Sequence, residues 1–180
     1  MSLETKNARS RVQTMVRIAL FAAVTAILSQ ISFMLPFGIP LTLQTFAVAL
    51  CGYTLGKRDG TIAILVYVLL GAVGVPVFAG FAGGFHKLVG LTGGFIVGFL
   101  PFSFLAGLGK EKKTVWALVL GTLGVLACHA CGVVQYAVLS GISLEKSFFT
   151  ISSAFLAKDI VSVAAAYAVS LPINRAVSRF

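Results

Sequence analysis

The chain has 180 residues, is 58% hydrophobic and 11% charged, and carries a formal net charge of +9. An average soluble domain is about 25% charged, so this composition excludes a soluble enzyme or a nucleic-acid-binding domain and leaves a single integral membrane unit. The three cysteines, Cys51, Cys128 and Cys131, all lie in apolar segments, and nothing in their spacing suggests a disulfide framework.

Residues 1–14 are polar and basic and read as a cytoplasmic N-terminal segment ahead of one bundle spanning 15–174. Met15–Leu35 is apolar for about 20 residues, enough to cross ~30 Å of hydrocarbon as a helix and too long for the core of a signal peptide. Pro36–Pro40 ends it. Thr42–Leu55 and Thr61–Gly74 are shorter apolar segments around the charged turn Gly56–Gly60. They predict a helical hairpin that need not cross the whole bilayer. A fourth segment, Leu91–Leu108, follows a glycine-rich stretch. The break Gly109–Lys113 precedes a fifth, Thr114–Leu139, and the break Ser140–Ser147 precedes a sixth, Phe148–Ile173. The expected fold is all-α, an integral membrane protein with six transmembrane helices.

With six spans, alternate breaks share a side. Lys6, Arg9, Arg11, Arg17, Lys57, Arg58, Lys110, Lys112, Lys113, Arg175 and Arg179 then collect on one side. The other side holds only Lys87 and Lys146. The positive-inside rule places both termini in the cytoplasm. The break at Pro36–Pro40, the glycine-rich stretch and the break at Ser140–Ser147 then face outward together, as loops capping a ligand pocket.

Val75–Gly98 combines many glycines with Pro76, His86 and Lys87. A lipid-exposed loop of this kind would leave backbone groups unpaired. Its glycines, Gly83 and Gly84 among them, allow close backbone approach to a ligand or to other backbone. The stretch is expected to form the lid and one wall of a small-molecule site. Lys87 and His86 are either solvated loop groups or attractors of an anionic ligand group.

Lys158 and Asp159 lie well inside the sixth segment, where ionisable groups usually mark function. Neighbours on a helix do not face each other, so each is expected to reach a different group. The alternative is neutralisation by nearby backbone and water. His129 is polar within an apolar run and needs a partner. Cys128 and Cys131 share a helix face, but a metal site wants four ligands and no second cluster exists. Packing is the expected role of both thiols, and neither a metal nor a cofactor is expected. Gly90, Gly94 and Gly98 recur every four residues, a close-packing stripe. Gly98 is expected at a helix contact, and Gly93 and Gly94 near a ligand. Ala19 and Ala23, with Ala22 and Ala26, give small-residue spacing that suits a partner helix or the bundle itself. Gly52–Lys57 and Gly107–Lys110 lack phosphate-loop spacing, so energy for active transport would come from a partner or an ion gradient.

The runs IPLTLQTFAVALCGYTLGKRDG, LVYVLLGAVGVPVFAGFAGG and GLTGGFIVGFL resemble the BioY family, the biotin-binding S components of energy-coupling factor vitamin transporters. The resemblance extends from about Arg17 to Ala168. It implies six helices with both termini inside, and a high-affinity biotin site near the outer face under loops. It also implies a separate transmembrane coupling subunit, docked through Ala19 and Ala23, and two cytoplasmic ATPases in the cell membrane. Some members of the family are proposed to work alone. The sequence departs from the family pattern in two places. Gly90-Leu91-Thr92-Gly93-Gly94-Phe95 stands where GPTGGY is usual. The last helix carries Lys158-Asp159-Ile160-Val161-Ser162 where Gly-Asp-x-x-Lys is usual, and Lys158, one turn from Ser162, is expected to supply the missing ammonium. For biotin, Asp159 suits the ureido N–H groups, and Lys158 or Lys87 suits the carboxylate. Phe78, Phe81, Phe85 and Tyr136 are expected as ring walls, with Thr42, Gln44 and His129 as supporting polar groups. Competing readings are an S component for another vitamin, a membrane thiol oxidoreductase using Cys128 and Cys131, and a structural membrane subunit, which leaves Lys158 and Asp159 unexplained.

Overall fold

The structure, a computed structural model, describes residues 3–34 and 40–177, with side chains described over 11–32 and 42–176. In chain order the elements are α1 (Leu3–Ser29), β1 (Ser32–Met34), β2 (Pro40–Thr42), α2 (Gln44–Leu55), α3 (Lys57–Ala72), α4 (His86–Val89), α5 (Gly93–Leu108), α6 (Thr114–Ser140), α7 (Leu144–Ile151) and α8 (Ser153–Val177). Each of the six apolar segments carries one of the longer helices. Arg11–Ser29, Thr114–Ser140 and Ser153–Ala176 are long and apolar enough to cross a membrane. α2 has 12 residues, a rise of about 18 Å, well short of ~30 Å of hydrocarbon.

The α2–α3 hairpin is as expected, but its turn is tighter. Gly56 alone joins the two helices, at φ 88°, a conformation glycine adopts without a Cβ clash. Lys57–Asp59 therefore form the first turn of α3, which begins ahead of Thr61. Asp59 there suits the positive end of the helix dipole. The sixth segment also differs, because it is two helices broken at Ser152. Ser143 caps α7, accepting from the Lys146 N–H at 3.3 Å, and Ser147 Oγ donates to the Val133 carbonyl at 2.8 Å, tying α7 to α6. A chain broken for hydrogen bonds to its neighbours does not show in hydrophobicity alone.

The break after α1 is flanked by an antiparallel pair, with Ser32 opposite Thr42, Phe33 opposite Leu41 and Met34 opposite Pro40. Three-residue strands are too short to show a period of two, which is why an all-helical reading passes over them. Most of the Pro36–Pro40 break, residues 35–39, lies outside the described residues.

The core is closed by small residues that let backbones meet. A Cβ added at Gly98 would sit 2.8 Å from Cys128 Cα, and one at Gly124 would sit 3.0 Å from the Phe102 carbonyl. α5 and α6 therefore lie directly on one another. Tyr53, on α2, donates its hydroxyl to the Ala117 carbonyl at 2.8 Å and meets Tyr167 edge-on at 5.3 Å, linking α2 to α6 and α8.

Candidate functional site

A cavity of about 450 Å³ lies between α2, α5, α6 and α8, beneath the chain from Phe78 to Ala82. Thr42, Gln44 and Thr45 form one side, Phe95, Ile96 and Phe99 another, and Phe155, Lys158 and Asp159 a third. Phe78 and Lys87 stand on the lid side, and Cys128 and Ile151 complete the wall. Most of the lining is apolar, with Lys87 at the lid and a paired cluster of charge at the opposite wall.

That cluster centres on Asp159, 7% exposed. Its Oδ2 lies 2.9 Å from His129 Nε2, and its Oδ1 is ion-paired with the Lys158 ammonium. Lys158 also donates to the Thr42 carbonyl at 2.9 Å and reaches Thr45 Oγ1 at 3.4 Å. The sequence expectation that Lys158 and Asp159 reach different groups is half of the picture. Each does, yet they also pair, because the flexible four-carbon stem of lysine lets its ammonium turn back to the neighbouring carboxylate. The three donors of Lys158 thus have three acceptors inside the protein. Asp159 Oδ1, itself buried, has the Lys158 ammonium as its partner.

His129 is 4% exposed, and its Nδ1 lies 2.6 Å from Ser152 Oγ. With a carboxylate on Nε2, that nitrogen carries the proton. Nδ1 then accepts from the Ser152 hydroxyl. A serine, a histidine and an aspartate in line invite comparison with a nucleophilic triad. Here Ser152 is fully buried at the α7–α8 joint and is absent from the cavity wall. Its hydroxyl fixes the orientation of the ring.

On the α2 side, Thr42 Oγ1 donates to Gln44 Oε1 at 2.9 Å, and Gln44 Nε2 donates to the Tyr67 hydroxyl at 2.8 Å. The lid is held at two points. Ser29 Oγ donates to the Val77 carbonyl at 2.5 Å, and Gln30 both donates to the Val77 and Phe78 carbonyls, each at 3.2 Å, and accepts from the Phe81 N–H at 2.8 Å. Farther along, Gln135 Nε2 donates to the Leu88 and Gly90 carbonyls at 2.8 and 2.7 Å. The loop's backbone groups find partners on the ends of α1 and α6, which lets it cover an apolar cavity.

Of the residues singled out in the sequence, Thr42, Gln44, Phe78, Lys87, Lys158 and Asp159 line the cavity, and His129 stands directly behind Asp159. Gly83, Gly84, His86, Gly93, Gly94 and Tyr136 are not on its wall. A Cβ on Gly83 would lie 2.9 Å from the Gly74 carbonyl oxygen, and the Gly84 N–H donates to the Gly71 carbonyl at 2.7 Å, so these two glycines fold the lid onto the end of α3. Gly93 is closed in by the Leu88 carbonyl and Gly94 by the Cys131 backbone. Phe81 and Phe85 are 72% and 64% exposed. The aromatic wall comes instead from Phe95, Phe99 and Phe155, with Phe78. Spacing could have found these residues. Phe95 and Phe99 are one turn apart, and Phe155 is one turn before Asp159, which puts each pair on one helix face.

Cys51, Cys128 and Cys131 are free thiols, and Cys128 Sγ points to the Phe95 carbonyl at 3.4 Å. Among the described residues no group of three or more His, Cys, Asp or Glu side chains could hold a metal ion. Ala19 and Ala23 are exposed on α1, whereas Ala22, one position over, is buried against the bundle.

Fold and cavity together define a helical, multi-pass membrane protein that keeps a polar cluster inside a loop-covered pocket. The chain belongs to the BioY family, which it matches over residues 3–179. A probable biotin transporter BioY of Pyrococcus horikoshii is 40% identical over 149 residues, 83% of this chain and 88% of that one. The biotin transporter BioY of Thermotoga maritima is 45% identical over 122 residues, 66% of this chain and 71% of that one. The crystal structure of the S-component for biotin from an ECF-type ABC transporter has the same fold, with a TM-score of 0.82 over 97% of this chain and 95% of that one, at 23% identity.

Proposed function

We propose that this chain captures biotin in the cavity beside Asp159 and is the substrate-binding subunit of a biotin uptake transporter in the cell membrane. The observation that carries the reading is the Lys158–Asp159–His129 cluster, with Asp159 and His129 buried and Lys158 half-buried, at the wall of a mostly apolar pocket of about 450 Å³. Biotin pairs a compact hydrogen-bonding ureido head with an apolar body and a carboxylate at the end of a chain. Asp159, its charge held in place by His129 and Lys158, accepts from the ureido N–H groups, and Phe95, Phe99 and Phe155 enclose the rings. Lys158 already serves Thr42, Thr45 and Asp159. Lys87, at the lid and without an ion pair among the described residues, is the cation that meets the carboxylate. The names of the Pyrococcus and Thermotoga relatives support biotin over another vitamin.

Biotin has about 16 non-hydrogen atoms, and a ~1 nM Kd needs about −12.3 kcal/mol. This is about −0.8 kcal/mol per atom, against ~−0.3 for drug-sized ligands. Such a site must enclose nearly the whole ligand, and the lid pinned over one side of the cavity is the segment placed to complete that enclosure. The six longer helices make up the membrane domain, three of them long enough to cross it as single helices, with both termini in the cytoplasm. The chain is not an enzyme and lacks a phosphate loop of its own. A transmembrane coupling subunit docking on the exposed Ala19–Ala23 stripe, with two cytoplasmic ATPases, supplies the energy that opens the lid. Titration of biotin into the purified, ligand-free chain tests the reading. Saturable nanomolar binding supports it, and a folded chain that binds no biotin rejects it.

A further inference from the structure

A second cavity, of about 640 Å³, lies at the opposite ends of the helices, where the α2–α3 and α5–α6 connections converge. Lys57 and Arg58 come from one connection, and Lys110 and Lys112 from the other; Asp59 and Glu111 are the only acids on its wall. Among the described residues none of the four cations forms an ion pair with either acid, so the cavity carries uncompensated positive charge.

The surrounding backbone adds to that field. α3 begins here on Gly56 without a side-chain cap, and the first N–H groups of a helix lack intrahelical acceptors. Individual carbonyls at the negative helix ends nearby have partners within the protein. Asn174 Nδ2 donates to the Tyr53 carbonyl at 3.0 Å, and the Lys110 N–H donates to the Gly107 carbonyl at 3.3 Å. Gly107 lets α5 approach the start of α3 so closely that an added Cβ would strike Lys57 backbone, which closes the floor. Leu55 and Leu108 line the same cavity and are half-buried, an apolar border toward the hydrocarbon. Topology by itself requires only that cations lie on this side. It does not require two connections distant in sequence to turn them toward one concave space.

We propose that this cavity binds an anionic phosphate group. Its place at the ends of the spans favours the phosphodiester of an anionic phospholipid in the same leaflet, because basic pockets between transmembrane helices suit such headgroups. That leaflet is the cytoplasmic one on the topology given under Proposed function. Biotin recognition is not involved, so the failure of either claim leaves the other standing.

The test is native mass spectrometry of the full chain released from nanodiscs of phosphatidylcholine with a minority of phosphatidylglycerol. The wild-type chain retains about one phosphatidylglycerol under conditions that strip phosphatidylcholine, and less of it as ionic strength rises. The double variant Arg58→Gln/Lys110→Gln loses at least fivefold of that retention while melting and biotin binding are unchanged. Lys57→Gln/Lys112→Gln is the second pair should the first not fold. Inorganic phosphate, added to the chain in neutral lipid, separates the sources. Retained phosphatidylglycerol identifies a lipid headgroup, and charge-dependent phosphate binding without it identifies the free anion. Equal phosphatidylglycerol retention by wild type and variants, with no phosphate binding, overturns the proposal. So does unchanged retention combined with lost co-purification of an ATPase module, which would assign the cavity to a protein partner.

Discussion

Asp159 is held from two sides at fixed distances, by His129 at 2.9 Å and by the ion pair with Lys158. Charge-assisted bonds of this kind contribute about 1.5–3 kcal/mol each. Replacing Asp159 with Asn keeps the shape and removes the charge. Biotin affinity should fall by about 10- to 100-fold, read by calorimetry. His129 reports on the support behind that carboxylate. His129→Leu leaves Ser152 and Asp159 Oδ2 unpaired and should lower the stability of the ligand-free chain by about 1–3 kcal/mol. His129→Gln, which can still donate to Asp159, should recover part of both stability and affinity. Equal losses in the two variants would show that the hydrogen bond to Asp159 is unimportant. Lys158 and Asp159 were legible in the sequence because charge inside an apolar segment stands out. Their mutual pairing was not, since helix spacing describes where a side chain starts and not where a flexible lysine ends.

The lid is attached to the ends of two helices, by Gln30 at the end of α1 and by Gln135 near the end of α6. Gln30→Ala removes bonds to Val77, Phe78 and Phe81. It should raise the biotin dissociation rate several-fold, more than it changes association, because affinity differences within one site fall mostly on dissociation. Stopped-flow displacement checks this, and an unchanged dissociation rate would detach the lid from the account. α1 carries both this pin and the exposed Ala19–Ala23 stripe, so a partner that tilts α1 pulls directly on the lid. The α5–α6 contact is a matter of volume. Gly98→Val places carbon where Cys128 already lies and should cost about 1–3 kcal/mol, seen as a lower melting temperature. The glycine periodicity announced this contact, and the apolar segments announced the six longer helices. The glutamines gave no signal, because a polar residue at a helix end looks the same whether it meets water or a loop carbonyl. Gly93 and Gly94 misled for a related reason. The absence of a side chain marks close approach without saying whether backbone or ligand approaches.

Across the whole molecule, a pocket covered at one end and a basic cavity at the other give the chain two chemically different faces. Single cysteines placed at Lys110 and Lys146 in a chain with its three native cysteines replaced should react with an impermeant reagent from opposite sides of intact cells, Lys146 from outside. Reaction of both from the same side would overturn the six-span arrangement. Enclosure also makes release slow, so biotin should leave the isolated chain much more slowly than it leaves the complete transporter supplied with ATP. The most direct test of the central claim is isothermal titration of biotin into the detergent-purified chain, stripped of ligand by partial unfolding, beside Asp159→Asn. The account predicts saturable nanomolar binding at one site per chain, weakened at least tenfold in the variant. Wild-type affinity in a folded Asp159→Asn chain would contradict the placement of the site, and no binding by a folded wild-type chain would contradict the function.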